Sequence, residues 1–181
     1  MKEKQRDFRS ERADVRAHLE YIRTHRHPVS LLLDEVHDVR NVGAIFRLAD
    51  AARLRKVYFY KPPEWKLESQ KALRISRHTI PYVPYEFLPD LAAVENLKKD
   101  HRLVALEWTN KSRPYPGFEP AGEVVLILGN EQRGISDELL EVAHESVHIP
   151  MFGMKTSMNV ACAAGIVAYD FLRRMVPFGS D

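Results

Sequence analysis

One cysteine, Cys162, is all that 181 residues contain. A single thiol excludes an intrachain disulfide and any cysteine-built zinc site, and it points to a reducing cytoplasm. The chain also has no apolar run near the 18–20 residues or so that a membrane span needs. Its opening, MKEKQRDFRSERAD, lacks the apolar stretch of a secretory signal. Two common phosphate-cradling patterns, G-x-G-x-x-G and G-x-x-x-x-G-K-[ST], are missing. Eight histidines form no H-E-x-x-H, and neither His25 with His27 nor His144 with His148 offers a convincing ligand set, so no metal is expected. What remains is a globular composition, 45% hydrophobic and 29% charged, with length enough for one ordinary domain.

The net charge of +2 conceals an asymmetry. Residues 1–27 carry eight Lys and Arg against five acids, and the remainder carries 19 against 20. A basic N-terminal segment beside a near-neutral body suits a polyanionic partner, although a merely solvated helix would look the same. That segment reads as an amphipathic helix over residues 10–25, with Val15, Leu19 and Ile22 on one stripe and Ser10 at its cap. His27-Pro28 ends it.

Apolar runs at 30–36, 56–61, 103–108, 124–129 and 146–151 read as strands. Helical spacing covers 41–54, 67–77, 90–100, 136–143 and 157–174, and 79–85 is a short extended piece broken by Pro81 and Pro84. Strands alternate with helices, and several strands lack polar alternation. The pattern therefore predicts an α/β domain whose mostly parallel sheet carries helices on both faces. In such sheets ligands sit beyond the carboxyl ends of the strands.

That rule gathers three segments. In DVRNVGAIFRLADA (38–51), Asn41 stands at a helix start, Gly43 permits close approach of another backbone, and Arg47 follows on a different face. Taken alone, this is also what a capped helix with one surface arginine looks like. In LILGNEQRGIS (126–136), Glu131 follows a buried strand almost at once, and Ser136 caps the next helix. In IPMFGMKTSMNVACAAG (149–165), Ser157 and Asn159 open a helix of small residues, where free backbone N–H groups can hold a polar ligand. Tight helix packing explains the small residues equally well, and Cys162 reads as one of that core.

In this order the three segments resemble the motifs of the SPOUT superfamily, TrmH (SpoU) family, of RNA ribose 2′-O-methyltransferases. Asp38, Asn41, Gly43 and Arg47 match the first motif. Gly129, Glu131 and Gly134 match the second. Ile149, Pro150, Met151, Gly153, Ser157, Asn159 and Val160 match the third, with Met158 replacing the usual Leu and Ala161 the usual Ser. The likeness covers about residues 29–174. It implies a C-terminal deep trefoil knot, S-adenosylmethionine bound within it, and a homodimer. The cofactor contacts carried over are Leu106, Glu107, Gly129, Ile149, Met151 and Met158. The catalytic set carried over is Arg47, Asn41, Glu131, Ser157 and Asn159, with Arg47 as an electrostatic clamp. The resemblance implies a division into a basic extension (1–28), a methyltransferase domain (29–176) and a tail (177–181). Its expected substrate is tRNA, with ribosomal RNA, or a non-catalytic homologue that binds cofactor and RNA, as alternatives.

Overall fold

Val29-Ser-Leu-Leu-Leu-Asp34 offers no polar alternation, and all six residues are buried. A strand of this kind needs cover on both faces, and it receives it in the computed structural model, which describes residues 14–177. Seven strands form one sheet: β1 (Val29–Asp34), β2 (Val57–Tyr60), β3 (Tyr85–Leu88), β4 (Arg102–Leu106), β5 (Arg113–Pro114), β6 (Val124–Leu128) and β7 (Glu145–His148). Their order is β3-β2-β1-β6-β4-β7-β5, and every pairing is parallel. The helices are α1 (Val15–Thr24), α2 (Val39–Ala51), α3 (Gln70–Ile75), α4 (Leu91–Leu97), α5 (Asp137–Val142) and α6 (Val160–Met175).

Strand β6 shows how two cores arise from one strand. Val124, Leu126 and Leu128 point into one core with Phe46 of α2 and Phe171 of α6. Val125 and Ile127, between them, point into the other with Val94 of α4 and Leu139 of α5. Each such side chain contributes about 1.5–3 kcal/mol by leaving water, so β6 is anchored from both sides. No helix among the described residues is long and apolar enough to cross a membrane.

The chain reaches β6 only after making β4, inserts it between β1 and β4, and then passes to the far side of β4 to make β7. The intervening segment packs against the end of β4, where the Glu107 carboxylate accepts a hydrogen bond from the Ile135 N–H at 3.1 Å. This strand order is consistent with a knotted C-terminal region.

Several element ends differ from the sequence reading, each for a local reason. Helix α1 is capped by Asp14, whose side chain accepts from the N–H groups of Arg16 and Ala17; Ser10 lies outside the described residues. None of the residues of α1 is buried, and Val15 on its apolar stripe is 61% exposed. Helix α2 starts two residues before Asn41, because Asp38 takes the cap and accepts from the Arg40 N–H. The extended piece foreseen at 79–85 is a 3₁₀ turn (Ile80–Tyr82) followed by β3, and the two-residue strand β5 has no sequence signal of its own. Strand β7 stops at His148, leaving Ile149–Met151 in a loop. Helix α6 begins at Val160, not 157, and buries Ala164, Val167, Ala168, Phe171 and Leu172. Cys162 sits two residues off that stripe and is exposed, so it is not a core residue.

Candidate active site

The loop after β6 is pinned on three sides. Asn130 and Gly134 exchange backbone hydrogen bonds, at 3.0 Å and 2.9 Å, which closes a tight turn. The Asn130 side chain accepts from the N–H groups of Gln132 and Arg133 inside the turn and donates to the Glu35 carbonyl at 2.8 Å outside it. Arg133 pairs with the Glu35 carboxylate. From β4, Glu107 accepts from Trp108 N–H with one oxygen and from Ile135 N–H with the other. Glu131 is displayed at the top of this turn, exposed.

There it meets the other two motifs. The Asn41 side-chain amide donates to Glu131 Oε1 at 2.5 Å, and Asn159 donates to Asn41 Oδ1 at 2.8 Å. Asn159 Oδ1 in turn accepts from the N–H groups of Ala161 and Cys162, at 3.0 and 3.2 Å, capping α6. A carboxylate only accepts, so the direction of each amide is set: donors run from the positive end of α6 through two asparagines to Glu131. Residues separated by 90 and 118 positions in sequence thus form one hydrogen-bonded chain. Three expectations change. Asn41 is the third residue of α2, free to make these bonds because Asp38 caps the helix. The first N–H groups of α6 are already taken by Asn159, which leaves fewer of them for a ligand. Ser157 precedes the helix, exposed and without a hydrogen-bond partner among the described residues.

Beside this chain opens a cavity of about 960 Å³. All six expected cofactor residues line it: Leu106, Glu107, Gly129, Ile149, Met151 and Met158. Glu131, Ser157 and Asn159 line it as well. Its apolar walls suit a flat hydrophobic ring. Its carboxylates, Glu107, Glu131 and Asp137, outnumber its one arginine, Arg133, which is already paired with Glu35. Size, apolar walls and negative charge all fit a ligand with an adenine at one end and a cationic sulfur, such as S-adenosylmethionine. Arg47 stands apart. It is exposed on α2, lines no part of the cavity, and has no ion-pair or hydrogen-bond partner among the described residues.

The sequence reading passed over Asp34. It ends an apolar strand and is 1% exposed. Its Oδ2 accepts from the Ser136 N–H at 2.7 Å, while Oδ1 and the Ser136 hydroxyl are both buried without a partner among the described residues. Ser136 occupies the cap position of α5, yet its side chain makes no capping bond. Burial raises the Asp34 pKa above the usual carboxylate range, outweighing the hydrogen bond from the Ser136 N–H. A carboxyl raised on folding stabilises the fold below its unfolded pKa and loses that contribution as pH rises through the folded value. Asp34→Asn, which keeps the acceptor and cannot ionise, should therefore raise the melting temperature at pH 8 and give little gain at pH 4. Thermal unfolding across that range checks this; a gain that does not grow with pH would refute it. Trp108 was also missed: the sequence reading ended a strand run on it, whereas β4 stops at Leu106 and leaves it two residues beyond the strand.

Residues 28–169 match the model of the SpoU rRNA Methylase family. The chain is 28% identical over 141 residues to a tRNA (guanosine(18)-2′-O)-methyltransferase of Aquifex aeolicus, covering 78% of this chain and 67% of that protein. Across the curated relatives it matches, this chain spans 58–67% of their length. Among solved structures it superposes on the A. aeolicus TrmH/SpoU tRNA modifying enzyme with a TM-score of 0.75 at 26% identity, covering 88% of this chain and 83% of that one. An AdoMet-bound rRNA methyltransferase from Sinorhizobium meliloti gives 0.75 at 27%, covering 86% and 60%.

Proposed function

The chain belongs to the SpoU rRNA Methylase family, and from that premise we propose that it transfers a methyl group from S-adenosylmethionine to a ribose 2′-hydroxyl of tRNA. The observation that carries this reading is the Asn159–Asn41–Glu131 chain at the edge of the cavity. It joins one residue from each of three motifs into a polar array with its carboxylate facing a site that suits a sulfonium.

When bound, S-adenosylmethionine supplies a methyl group that its sulfonium already makes electrophilic. The protein's task is then to position a hydroxyl and receive its proton. Leu106, Ile149 and Met158 would hold the adenosine end, and Glu107, Glu131 and Asp137 would offset positive charge. Asn41, itself held by Asn159, donates to Glu131 Oε1, and among the described residues the second Glu131 oxygen has no partner, which suits it to accept a proton. The Arg47 guanidinium offers donors and no acceptor, so it serves as a clamp on phosphate and on the developing alkoxide rather than as a base. Residues 1–28, with their positive excess, would grip the RNA backbone without reading bases. Residues 29–176 form the methyltransferase domain and 177–181 a tail.

A homodimer completes the assembly. Support comes from the exposed face of α6, where Ile166 and Tyr169 are 40% and 41% open to solvent, and from Phe152 and Met154, which are almost fully so. The cytoplasm is the compartment, in keeping with an RNA substrate and a lone thiol.

The test uses purified protein, methyl-labelled S-adenosylmethionine and RNA from a deletion strain, fractionated by size and digested to nucleosides. A labelled 2′-O-methylnucleoside in the tRNA fraction is the expected result. Label in ribosomal RNA would overturn the substrate, and cofactor binding without label in any fraction would overturn the activity.

A further inference from the structure

Trp108 is 60% exposed, yet it is not loose. Its ring stacks on His148 with centroids 5.9 Å apart and planes 19° from parallel. Its backbone N–H donates to Glu107 Oε1 at 3.0 Å. The next residue closes a turn with Ser112, whose hydroxyl donates to the Thr109 carbonyl at 2.9 Å and accepts from the Thr109 N–H at 3.0 Å. The same hydroxyl lies 2.9 Å from His148 Nδ1. A serine has one proton to give, and giving it to Thr109 makes His148 Nδ1 the donor to Ser112. The braced turn thus holds the His148 ring from behind, and Trp108 stacks on that ring. Trp108 and His148 are the two aromatic rings among the described residues that line the cavity, and the rest of its apolar wall is aliphatic.

Holding an indole in water beside a cavity forgoes the burial that normally rewards a tryptophan. A flat partner would restore it. On the premise of the methyl-transfer reading, we propose that Trp108, backed by His148, is a stacking platform for a nucleobase at this cavity. Two sources share that chemistry, the adenine of the cofactor and the target base of the RNA. Topology favours the cofactor. Trp108 follows β4, whereas Asn41 and Arg47 follow β1, and β6 separates the two strands. The reactive ribose belongs on the Asn41 side, which leaves the adenosine end of the cofactor nearer β4. Trp108 is then a binding residue for the known class of reaction, set by this chain's own sequence at a position where an aliphatic residue would give no face to stack on.

The chain has one other tryptophan, Trp65, so Trp65→Phe leaves Trp108 as sole reporter. Titrating S-adenosylhomocysteine into that protein should change its emission. Calorimetric affinity for S-adenosylhomocysteine should fall about tenfold in Trp108→Ala, as expected for one base–aromatic stack, and largely return in Trp108→Phe. Titrating a tRNA transcript in the absence of cofactor forms the second arm. A response to tRNA alone, with tRNA affinity lost in Trp108→Ala, would keep the platform and assign it to the RNA base. Wild-type affinity of Trp108→Ala for both ligands would overturn the proposal while leaving methyl transfer standing. Failure of the wild-type protein to bind either ligand would overturn both. Dissociation of a dimer in Trp108→Ala would place the ring against a second copy and overturn the proposal also.

Discussion

Arg47→Ala should lower kcat for methyl transfer by about 100- to 1,000-fold, the cost of removing one preorganised charge from a transition state. Affinity for S-adenosylhomocysteine should not change, because Arg47 touches no part of the cavity. Its side chain is exposed, and no described carboxylate neutralises it. A guanidinium left unpaired at the surface is available to a polyanionic substrate. Arg47→Lys should recover only part of the rate, since an ammonium keeps the charge and loses the planar fork. Single-turnover rates with saturating cofactor check this, alongside calorimetric binding. Near-wild-type turnover by Arg47→Ala would remove the clamp from the mechanism.

Gly129→Ala should destabilise the fold by about 3 kcal/mol or more, at the upper end for overpacking. A Cβ at this position would lie 2.2 Å from the Gly134 carbonyl carbon, 2.3 Å from the Ile135 nitrogen and 2.5 Å from the Gly134 oxygen. All three are backbone atoms of the turn that Asn130 and Glu107 hold in place, so no side chain can swing aside. Gly153→Ala is the control. Nothing lies within 4 Å of its Cβ position, and its melting temperature should match the wild type. Thermal unfolding of both variants decides it. A Gly129→Ala protein as stable as Gly153→Ala would mean that the turn after β6 does not close against that strand as described.

The sheet was legible because its central strands are unbroken apolar runs, and β1, β2, β4 and β6 lie where those runs stand. Its edges were not. Proline at 81 and 84 blurred the entry to β3, and β5 is a two-residue strand ending in Pro114, which a sheet edge tolerates and periodicity cannot detect. Helix ends moved wherever two polar residues competed for one cap. Asp38 displaced Asn41, and Asn159 displaced Ser157. Those displacements matter to function, because an asparagine that does not cap its own helix has both ends of its amide to spend elsewhere. The resemblance named six candidate cofactor residues, and all six line one cavity. What no spacing could show is the hydrogen-bonded order Asn159–Asn41–Glu131, since it depends on strands brought together from distant parts of the chain. The buried Asp34 and the braced Trp108 escaped for the same reason, their meaning being set by neighbours far away in sequence.

The place of β6 in the sheet has a consequence during synthesis. Glu35, next to β1, and Asn130, next to β6, are 95 residues apart. At common translation speeds the ribosome needs about 5–20 s to make that stretch. Throughout that interval one edge of β1 stays open on the nascent chain, with its backbone N–H and C=O groups unpaired and its side chains apolar. Such an edge invites pairing with the wrong strand. Chaperone cover should therefore matter most while the middle of this protein is being made, and matter less once Leu128 has left the exit tunnel.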